Sequence, residues 1–381
     1  MVSSKYYYYL YLMTAVMNII NLVPRVLIFT RFHGVIWSII LAVIFGSVVM
    51  YCFTVLIGKF EGQGFPEIFH AYMPQMLALP LLLYFSVTWF GAGTILLLSY
   101  VDITLRFISP DISATAVMIG FLILVAGFSR VKTASILYAT ETILLLCMPV
   151  IVYILVKSFI NPAFNWDAVM QIFTYLWTKP KLVTVAGGSF AFTGYVNLSV
   201  FNRSFSRMKV KLRHFWIVPV SGLLILLITL IVPIGYHGTI GVEDHIYSWL
   251  STADSMRIEM FVIERVLYLF YVSYLSMSLV TTVMYWHVGL ELFKGAFKKN
   301  SSIKKGEEPN AVQKSRGDLW LEGAILLGFS LVTTFLSRAV SQVQLAQIGQ
   351  WFLNFCFFSQ FFLIFLLLFL VWKKRRGGVA A

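Results

Sequence analysis

The sequence predicts an all-α polytopic membrane protein with ten transmembrane helices in a five-plus-five inverted repeat, in which helices 1 and 6 are broken. Hydrophobic residues make up 59% of the chain and charged residues only 12%, and the mean hydropathy is +0.84. A soluble domain carries about 25% charged residues, so this chain has too few for a water-exposed surface. Apolar segments long enough to span a bilayer follow one another along almost the whole sequence.

Each of the ten apolar segments is long enough for a helix to cross the hydrocarbon core, which takes roughly 20 residues, and the eighth is long enough to tilt or to project beyond the bilayer. We expect a single transmembrane domain over residues 1–381, divided into a first five-helix repeat at 1–156, a second at 157–372 and a basic tail at 373–381. The predicted spans are 6–30, 34–57, 76–100, 112–128, 134–156, 182–201, 214–236, 260–290, 319–337 and 346–372.

The net charge of +13 is divided unevenly between the two predicted faces of the membrane. With ten spans, the face that holds both termini carries 20 of the 29 Lys and Arg residues. The positive-inside rule therefore predicts a multi-pass membrane protein with both termini in the cytoplasm. The basic charge indicates topology, and we expect the lipid bilayer rather than nucleic acid as its partner.

Two of the predicted spans, the first and the sixth, contain residues that interrupt a transmembrane helix. They begin the two halves of the chain, and because each half has five spans the halves must have opposite orientations. Opposite orientation is the geometric condition for an inverted repeat, and paired broken helices indicate a solute site near the bilayer midplane. Backbone groups freed within the membrane must line a cavity, where a polar ligand can bind them.

In the sixth span the interruption is predicted at Gly187 and Gly188, because glycine permits backbone angles that other residues resist. A half-helix that begins there would direct free N–H groups at an anionic group such as a carboxylate. Alternatively, the two glycines allow neighbouring helices to pack closely. The candidate binding residues of this span are Gly187, Gly188, Ser189, Phe190 and Phe192.

In the first span two amides, Asn18 and Asn21, precede Pro24. Amides are costly in hydrocarbon unless they are hydrogen-bonded, so both should face the protein interior. They either bind a ligand or join neighbouring helices. The candidate binding residues of this span are Asn18, Ile19, Ile20, Asn21 and Leu22.

Other polar or aromatic residues within the spans could complete a pocket. Trp89 of the third span could form a wall of it, although aromatic residues there also serve packing. Ser273 and Ser276 of the eighth span could line a cation site, or bond back to their own helix. Glu141 of the fifth span could carry a coupling proton, or simply bond a neighbour. Glu264 and Arg265 are interpreted mainly as a structural ion pair.

Motifs of catalysis and cofactor binding are absent from the sequence. It has no nucleotide-binding loop, zinc motif or nucleophile elbow, so we expect neither an enzyme nor a cofactor or metal. The segment from His237 to His245 is interpreted as an exposed loop rather than a metal site. The connection 157–181 is expected to contain a short amphipathic helix on the membrane face.

Several stretches resemble the B subunits of spore germinant receptors. They are Asn18-Ile-Ile-Asn-Leu-Val-Pro-Arg, His33-Gly-Val-Ile-Trp-Ser and Ile263-Glu-Arg-Val-Leu-Tyr-Leu-Phe-Tyr, together with the chain length and the ten spans. The glycine usual in the first break is replaced by Asn here, and the acidic residue that usually precedes Trp37 is missing. The resemblance extends over essentially the whole chain.

The resemblance implies a fold and a function. That family belongs with the amino acid–polyamine–organocation transporters, which share the five-plus-five fold of leucine transporters. Its members are thought to sense nutrients, often amino acids, in the inner membrane of bacterial endospores, together with an A subunit and a lipoprotein C subunit. The ligand pocket would then fall on Asn18 to Leu22 and Gly187 to Phe192, completed by spans 3 and 8.

Three functional hypotheses follow. The leading one is a germinant-sensing subunit that binds a small nutrient, such as an amino acid, at mid-membrane. The alternative is a proton-coupled amino acid secondary transporter that uses Glu141 as the proton carrier. The third is a membrane scaffold or ion-conducting subunit that binds no small molecule.

Overall fold

The computed structural model describes residues 3–18, 20–205, 212–260, 263–297 and 316–377. The described chain is predominantly helical. Its α-helices are α1 (Lys5–Asn18), α2 (Val23–Phe29), α3 (Val35–Ile57), α4 (Phe65–Tyr72), α5 (Gln75–Phe107), α6 (Ala114–Phe128), α7 (Thr133–Ile160), α8 (Trp166–Phe173), α9 (Leu182–Phe190), α10 (Leu198–Phe201), α11 (Leu212–Phe215), α12 (Ile217–His237), α13 (Ser248–Ser255), α14 (Val266–Phe297), α15 (Arg316–Ala339) and α16 (Gln342–Gly377). Short 3-10 helices lie at Thr193–Asn197, Asn202–Ser204 and Gly241–Asp244.

Seven helices of the described chain are long and apolar enough to cross a membrane, namely α3, α5, α7, α12, α14, α15 and α16. An eighth span results if α1 and α2, which are bent by 51° at their junction, cross as one unit. The predicted ten also include α6, which has 15 residues, and the α9–α10 segment, whose helices have nine and four. The long apolar helices indicate a membrane-embedded protein, whereas the count of ten remains a prediction.

The eighth predicted span begins earlier than the helix that forms it. Strand β1 (Arg257–Met260) pairs antiparallel with strand β2 (Ile263–Arg265), and α14 begins only at Val266, so the predicted start at residue 260 is wrong. The apolar residues of this hairpin resemble a helix entrance when they are judged by hydropathy alone. The described partner of Arg265 is Asp254, with 3.9 Å between Nη1 and Oδ1, and the side chain of Glu264 lies outside the described residues.

Helices α5 and α14 form the central packed pair of the bundle. Glycines allow the pair to approach closely, since a Cβ on Gly93 would lie 2.5 Å from Cδ1 of Trp286, and one on Gly289 would lie 2.8 Å from the Phe90 ring. Small residues at contact points are the usual means of packing helices within lipid. Around this pair, α3 and α16 pack against α9, and α7 packs against α14.

The outward surface of the bundle is strongly apolar. Large side chains such as Leu146 on α7, Phe335 on α15 and Phe365 on α16 are each more than 60% exposed. A water-soluble monomer rarely exposes contiguous apolar surface on this scale, whereas hydrocarbon solvates it without cost. The expected amphipathic helix of the 157–181 connection is present as α8.

The start of α1 and the end of α16 lie on one face of the molecule, which we call the terminal face. Thr54 near the end of α3 donates to the Tyr7 hydroxyl of α1 at 3.0 Å, and Nζ of Lys374 near the end of α16 donates to the carbonyl of Lys59. The turn between α2 and α3 and the start of α16 lie on the opposite face.

Candidate functional site

The first interruption separates α1 from α2. Helix α1 ends at Asn18, whose Nδ2 donates to the carbonyl of Thr14 at 2.8 Å. Pro24 lies in the first turn of α2, where backbone N–H groups have no helical partner, so its missing N–H costs no hydrogen bond. Between the two helices, Asn21 is buried and Leu22 is half-buried. The chain therefore places polar side chains and non-helical backbone in the middle of an apolar segment.

The second interruption lies later than the glycine pair. Helix α9 continues through both glycines and ends at Phe190, and a 3-10 helix then leads through Thr193–Asn197 to α10. A Cβ on Gly187 would lie 3.0 Å from Val26 Cγ1, and one on Gly188 would lie 2.8 Å from Ala42 Cβ. The two glycines therefore permit close contact of α9 with α2 and α3, and no half-helix begins at them.

Three neighbouring cavities follow the interrupted segments through the bundle. The outer cavity, of about 280 Å³, lies toward the opposite face; the central cavity, of about 20 Å³, lies beside the first interruption; and the inner cavity, of about 60 Å³, lies toward the terminal face. Asn21 and Leu22 line both the outer and the central cavity. Phe190 and Ala92 line both the central and the inner cavity. The three cavities therefore adjoin one another along the bundle.

The central cavity is the place where both interrupted segments meet α5, α14 and α16. A volume of this size accommodates about one water molecule, so a solute could enter only after side chains move. Four of the predicted binding residues, Asn18, Asn21, Leu22 and Phe190, are among its lining. The others are Met17, Ala92, Ile95, Leu96, Thr281, Tyr285 and Phe352.

The inner cavity is organised by a hydrogen bond between two helical segments. Trp89 of α5, a predicted wall residue, donates from Nε1 to Oδ1 of Asn197 at 2.9 Å, and Asn197 donates from Nδ2 to the carbonyl of Gly194 at 3.1 Å. Tyr195 donates to Oε1 of Gln360 on α16 at 3.3 Å. The Nε2 atom of Gln360 is buried without a hydrogen-bond partner among the described residues, so it is available to a ligand.

The outer cavity is the largest and most polar of the three. Its charged lining residue is Arg25 on α2, which faces amide side chains of α16. Tyr247 contributes a hydroxyl, and burial, together with the nearby charge of Asp102, holds the pKa of Tyr247 well above its ordinary value. The lining comprises Asn21, Leu22, Arg25, Val26, Phe29, Ser99, Ile246, Tyr247, Gln342, Leu345, Ala346, Gln347 and Gln350.

Several predicted site residues lie away from these cavities. Ser273 and Ser276 donate to the carbonyls four residues earlier, at 3.0 and 2.9 Å. They therefore bond back to their own helix, which is the predicted alternative to a cation site. Phe192 packs against Gly46 and Gly222. The predicted residues absent from the cavity linings are Ile20, Gly187, Gly188, Ser189, Phe192, Ser273 and Ser276, and Ile19 lies outside the described residues.

Glu141 lies at the terminal face, away from the cavities, and pairs there with residues of α1. Nζ of Lys5 lies 2.7 Å from Glu141 Oε1, and the Tyr6 hydroxyl donates to the other carboxylate oxygen. Lys5 is 136 residues away in the sequence, so the partner of this carboxylate could not be inferred from local spacing. The contacts favour a structural ion pair between the starts of α1 and α7.

A second group of charges joins four segments at the terminal face. Arg203 lies 2.7 Å from Glu67 and 2.8 Å from Glu291, while Lys294 lies 2.8 Å from Glu322. The side chains are at most 19% exposed. Buried ion networks contribute little net stability, but breaking one is costly, so they fix the arrangement of the groups that they join. This network holds α4, α14 and α15 against the chain that follows α10.

At the opposite face, an ion pair fixes the end of α2. Arg31 donates from Nη1 to Oε1 of Glu243 at 2.5 Å and from Nε to the carbonyl of Thr239. The hydrogen bond from Arg31 holds the pKa of Glu243 below its ordinary value. The helix that carries Arg25 is therefore fixed to the loop beside the outer cavity.

Sequence reasoning missed the contribution of α16 and the role of Arg25. The helix begins with four glutamines, Gln342, Gln344, Gln347 and Gln350, ahead of a long apolar run, and three of them line the outer cavity. Amides in an apolar segment signal an interior polar surface. That signal was present in the sequence, whereas the partners of the glutamines depend on the tertiary fold.

Comparison with known proteins gives no relative of this chain: no protein-family model matches the sequence, and no curated protein matches it significantly.

Proposed function

We propose that the chain binds a small organic solute at the centre of its membrane bundle, as the nutrient-sensing subunit of a spore germinant receptor. The observation that supports solute binding is the series of three cavities along the two interrupted segments, whereas the receptor assignment rests on the sequence resemblance. Interrupted helices and buried polar groups at mid-depth cost stability, which favours a ligand-binding role for them over packing alone. The small central cavity represents a closed arrangement of this site.

The proposal includes ten spans in two inverted five-helix repeats. It is supported by the interruption that begins each half and by the close pairing of α5 and α14, which have 33 and 32 residues. It also includes cytoplasmic termini, supported by the excess of Lys and Arg on the terminal face. An amino acid ligand, A and C receptor subunits and the spore inner membrane rest on the sequence resemblance alone.

The sensing mechanism would be a shift between two arrangements of the bundle. A ligand that enters the central cavity must displace side chains such as Leu22 and Phe190, and it therefore favours the arrangement in which the cavity is larger. The ion network of Arg203, Glu291 and Lys294 lies at the terminal face, where partner subunits would detect the change.

A secondary transporter is the second candidate, because the cavities extend from the outer toward the terminal face as a solute path would. Proton coupling through Glu141 gains no support from its ion pair with Lys5. Uptake into liposomes separates the two candidates: a transporter accumulates the solute, whereas a receptor binds it without accumulation.

The test of solute binding is thermal unfolding of the purified chain in detergent against amino acids, sugars and nucleosides. A ligand at about 100 times its Kd stabilises the folded state by about 2.7 kcal/mol. Ala92→Leu fills the central and inner cavities and should abolish the shift in Tm. Gly328→Leu adds bulk where a Cβ meets nothing within 4 Å and should preserve the shift. A shift that survives Ala92→Leu would place the ligand elsewhere.

A further inference from the structure

The outer cavity has the composition of a site for a small anion. Among its described lining residues Arg25 carries a positive charge and no Asp or Glu is present. Asn21, Gln342, Gln347 and Gln350 supply amides, and the apolar lining comes from Leu22, Val26, Phe29 and Leu345. A cavity of this kind offers one strong charge, several adaptable hydrogen-bonding groups and an apolar wall.

The guanidinium of Arg25 is incompletely satisfied by the protein. Its Nη1 atom is buried and has no hydrogen-bond partner among the described residues. The carboxylate of Asp102 on α5 accepts a hydrogen bond from Nε2 of Gln342 at 2.5 Å, and Asp102 is not among the lining residues of this cavity. A buried donor without a partner destabilises the fold, and the effect is larger when the donor is charged. The cost is recovered when an acceptor from a ligand completes the guanidinium's bonds.

We propose that Arg25 binds the carboxylate of a small organic solute in the outer cavity. A guanidinium presents parallel N–H donors that match the two oxygens of a carboxylate, a geometry that a spherical ion does not use. The volume of about 280 Å³ is near the lower limit of ligand pockets, so it suits a molecule the size of an amino acid or a hydroxy acid. The amides of α16 bind the remaining polar groups of that molecule.

The position of the outer cavity gives the site a role in entry to the bundle. Leu22 lines both the outer and the central cavity and packs so closely on Gly349 that a Cβ there would lie 2.4 Å from Leu22 Cδ2. A carboxylate held by Arg25 would thus lie beside Leu22, whose side chain also lines the central cavity. This inference does not depend on the proposed function, because binding at Arg25 requires neither a filled central cavity nor a receptor partner.

The test compares small carboxylates with their neutral amides on the purified full-length chain. The probes are the L-amino acids, their N-acetyl derivatives and small hydroxy acids, each with the matching amide, plus sodium chloride as an inorganic anion. The measurements are Tm and the Kd from calorimetry. We expect at least one carboxylate to bind while its amide does not.

Arg25→Gln should weaken that binding about tenfold or more, since a charge-assisted hydrogen bond is lost, and Arg25→Lys should weaken it less. Arg338→Gln is the matched control, because Arg338 is an exposed arginine at the same end of the bundle and does not line the cavity. Gln350→Glu introduces a carboxylate into the cavity without a change of shape and should also weaken binding. Its control is Gln344→Glu on the same helix end.

The outcomes separate this site from the central one. Binding that is lost in Arg25→Gln and Gln350→Glu but retained in Ala92→Leu supports the outer site even if the proposed function fails. The inference is overturned if no carboxylate binds, if the amides or chloride bind as well as the carboxylates, or if Arg25→Gln leaves the Kd unchanged. Should Arg25→Gln not fold, the two Gln→Glu variants decide.

Discussion

The hydrogen bond between Trp89 and Asn197 gives the sharpest test of how the second interruption is held. It joins α5 to the 3-10 helix that follows α9, over 2.9 Å, and both residues are buried. Trp89→Phe removes the donor and keeps an aromatic ring in place. Asn197→Ala removes the acceptor. We predict that the two substitutions together cost less than the sum of their separate costs.

The expected size of the coupling follows from the burial of the bond. Hydrogen bonds between transmembrane helices contribute about 0.6 kcal/mol on average and at most about 1.7 kcal/mol in double-mutant cycles. Trp89 is 8% exposed and Asn197 1%, so water competes little for either group. We therefore expect a coupling energy of about 1 to 1.7 kcal/mol. The packing lost with the smaller ring is the same whether Asn197 or Ala occupies position 197, so it cancels in the coupling energy.

The assay is the free energy of unfolding in mixed micelles, measured for the wild type, both single variants and the double variant. Trp286→Phe combined with Asn197→Ala provides the control cycle. Trp286 is fully buried, but its Nε1 has no hydrogen-bond partner among the described residues, so only packing is lost. The control cycle should be additive. A Trp89 cycle that is additive within about 0.3 kcal/mol would refute the reasoning.

Two further predictions concern the outer end of the bundle. Gly349→Ala forces Leu22 to move and should destabilise the fold by about 1 kcal/mol, which is the lower end of the overpacking range. Chemical unfolding measures the change. An equal effect of Gly328→Ala, where space is open, would contradict the prediction. Glu243→Gln should lower Tm at pH 7, since Arg31 lowers the pKa of Glu243 and so stabilises the fold above the ordinary carboxyl pKa. The difference from wild type should shrink as the pH falls below the ordinary carboxyl pKa, and a difference that does not change with pH would exclude the ion pair as its cause.

The helices and the first interruption could be predicted because their signals are local. Apolar length marks a membrane span, and Asn18, Asn21 and Pro24 weaken a helix wherever they occur within one. The short helix of the 157–181 connection follows from local amphipathicity in the same way, and α8 occupies that place. Ten spans and an inverted repeat remain predictions, because α6 and the α9–α10 segment are short.

The location of the second interruption could not be predicted from glycine alone. A glycine pair permits both a break in a helix and a close contact between helices. Gly187 and Gly188 serve the second purpose, against Val26 and Ala42, which lie more than 140 residues away in the sequence. Which role a glycine has is decided by the neighbours that the fold brings to it.

The same limit applies to the polar residues. Ser273 and Ser276 bond to their own helix, whereas Arg25 and Gln350 line the outer cavity, although all four lie in apolar segments. Sequence spacing shows that a polar group is present but not whether its own backbone satisfies it. The tertiary arrangement therefore determines which polar residues are available to a ligand.

The central claim is that a small solute binds where both interrupted segments meet. The most direct measurement is the alkylation rate of the thiol introduced by Ala92→Cys, with and without each solute of the panel, because Ala92 lines the central and inner cavities. Cys52 on α3 is the internal reference, since it lines none of the three cavities. We predict that at least one solute slows alkylation of the introduced thiol and leaves that of Cys52 unchanged. Equal rates with every solute would contradict the claim.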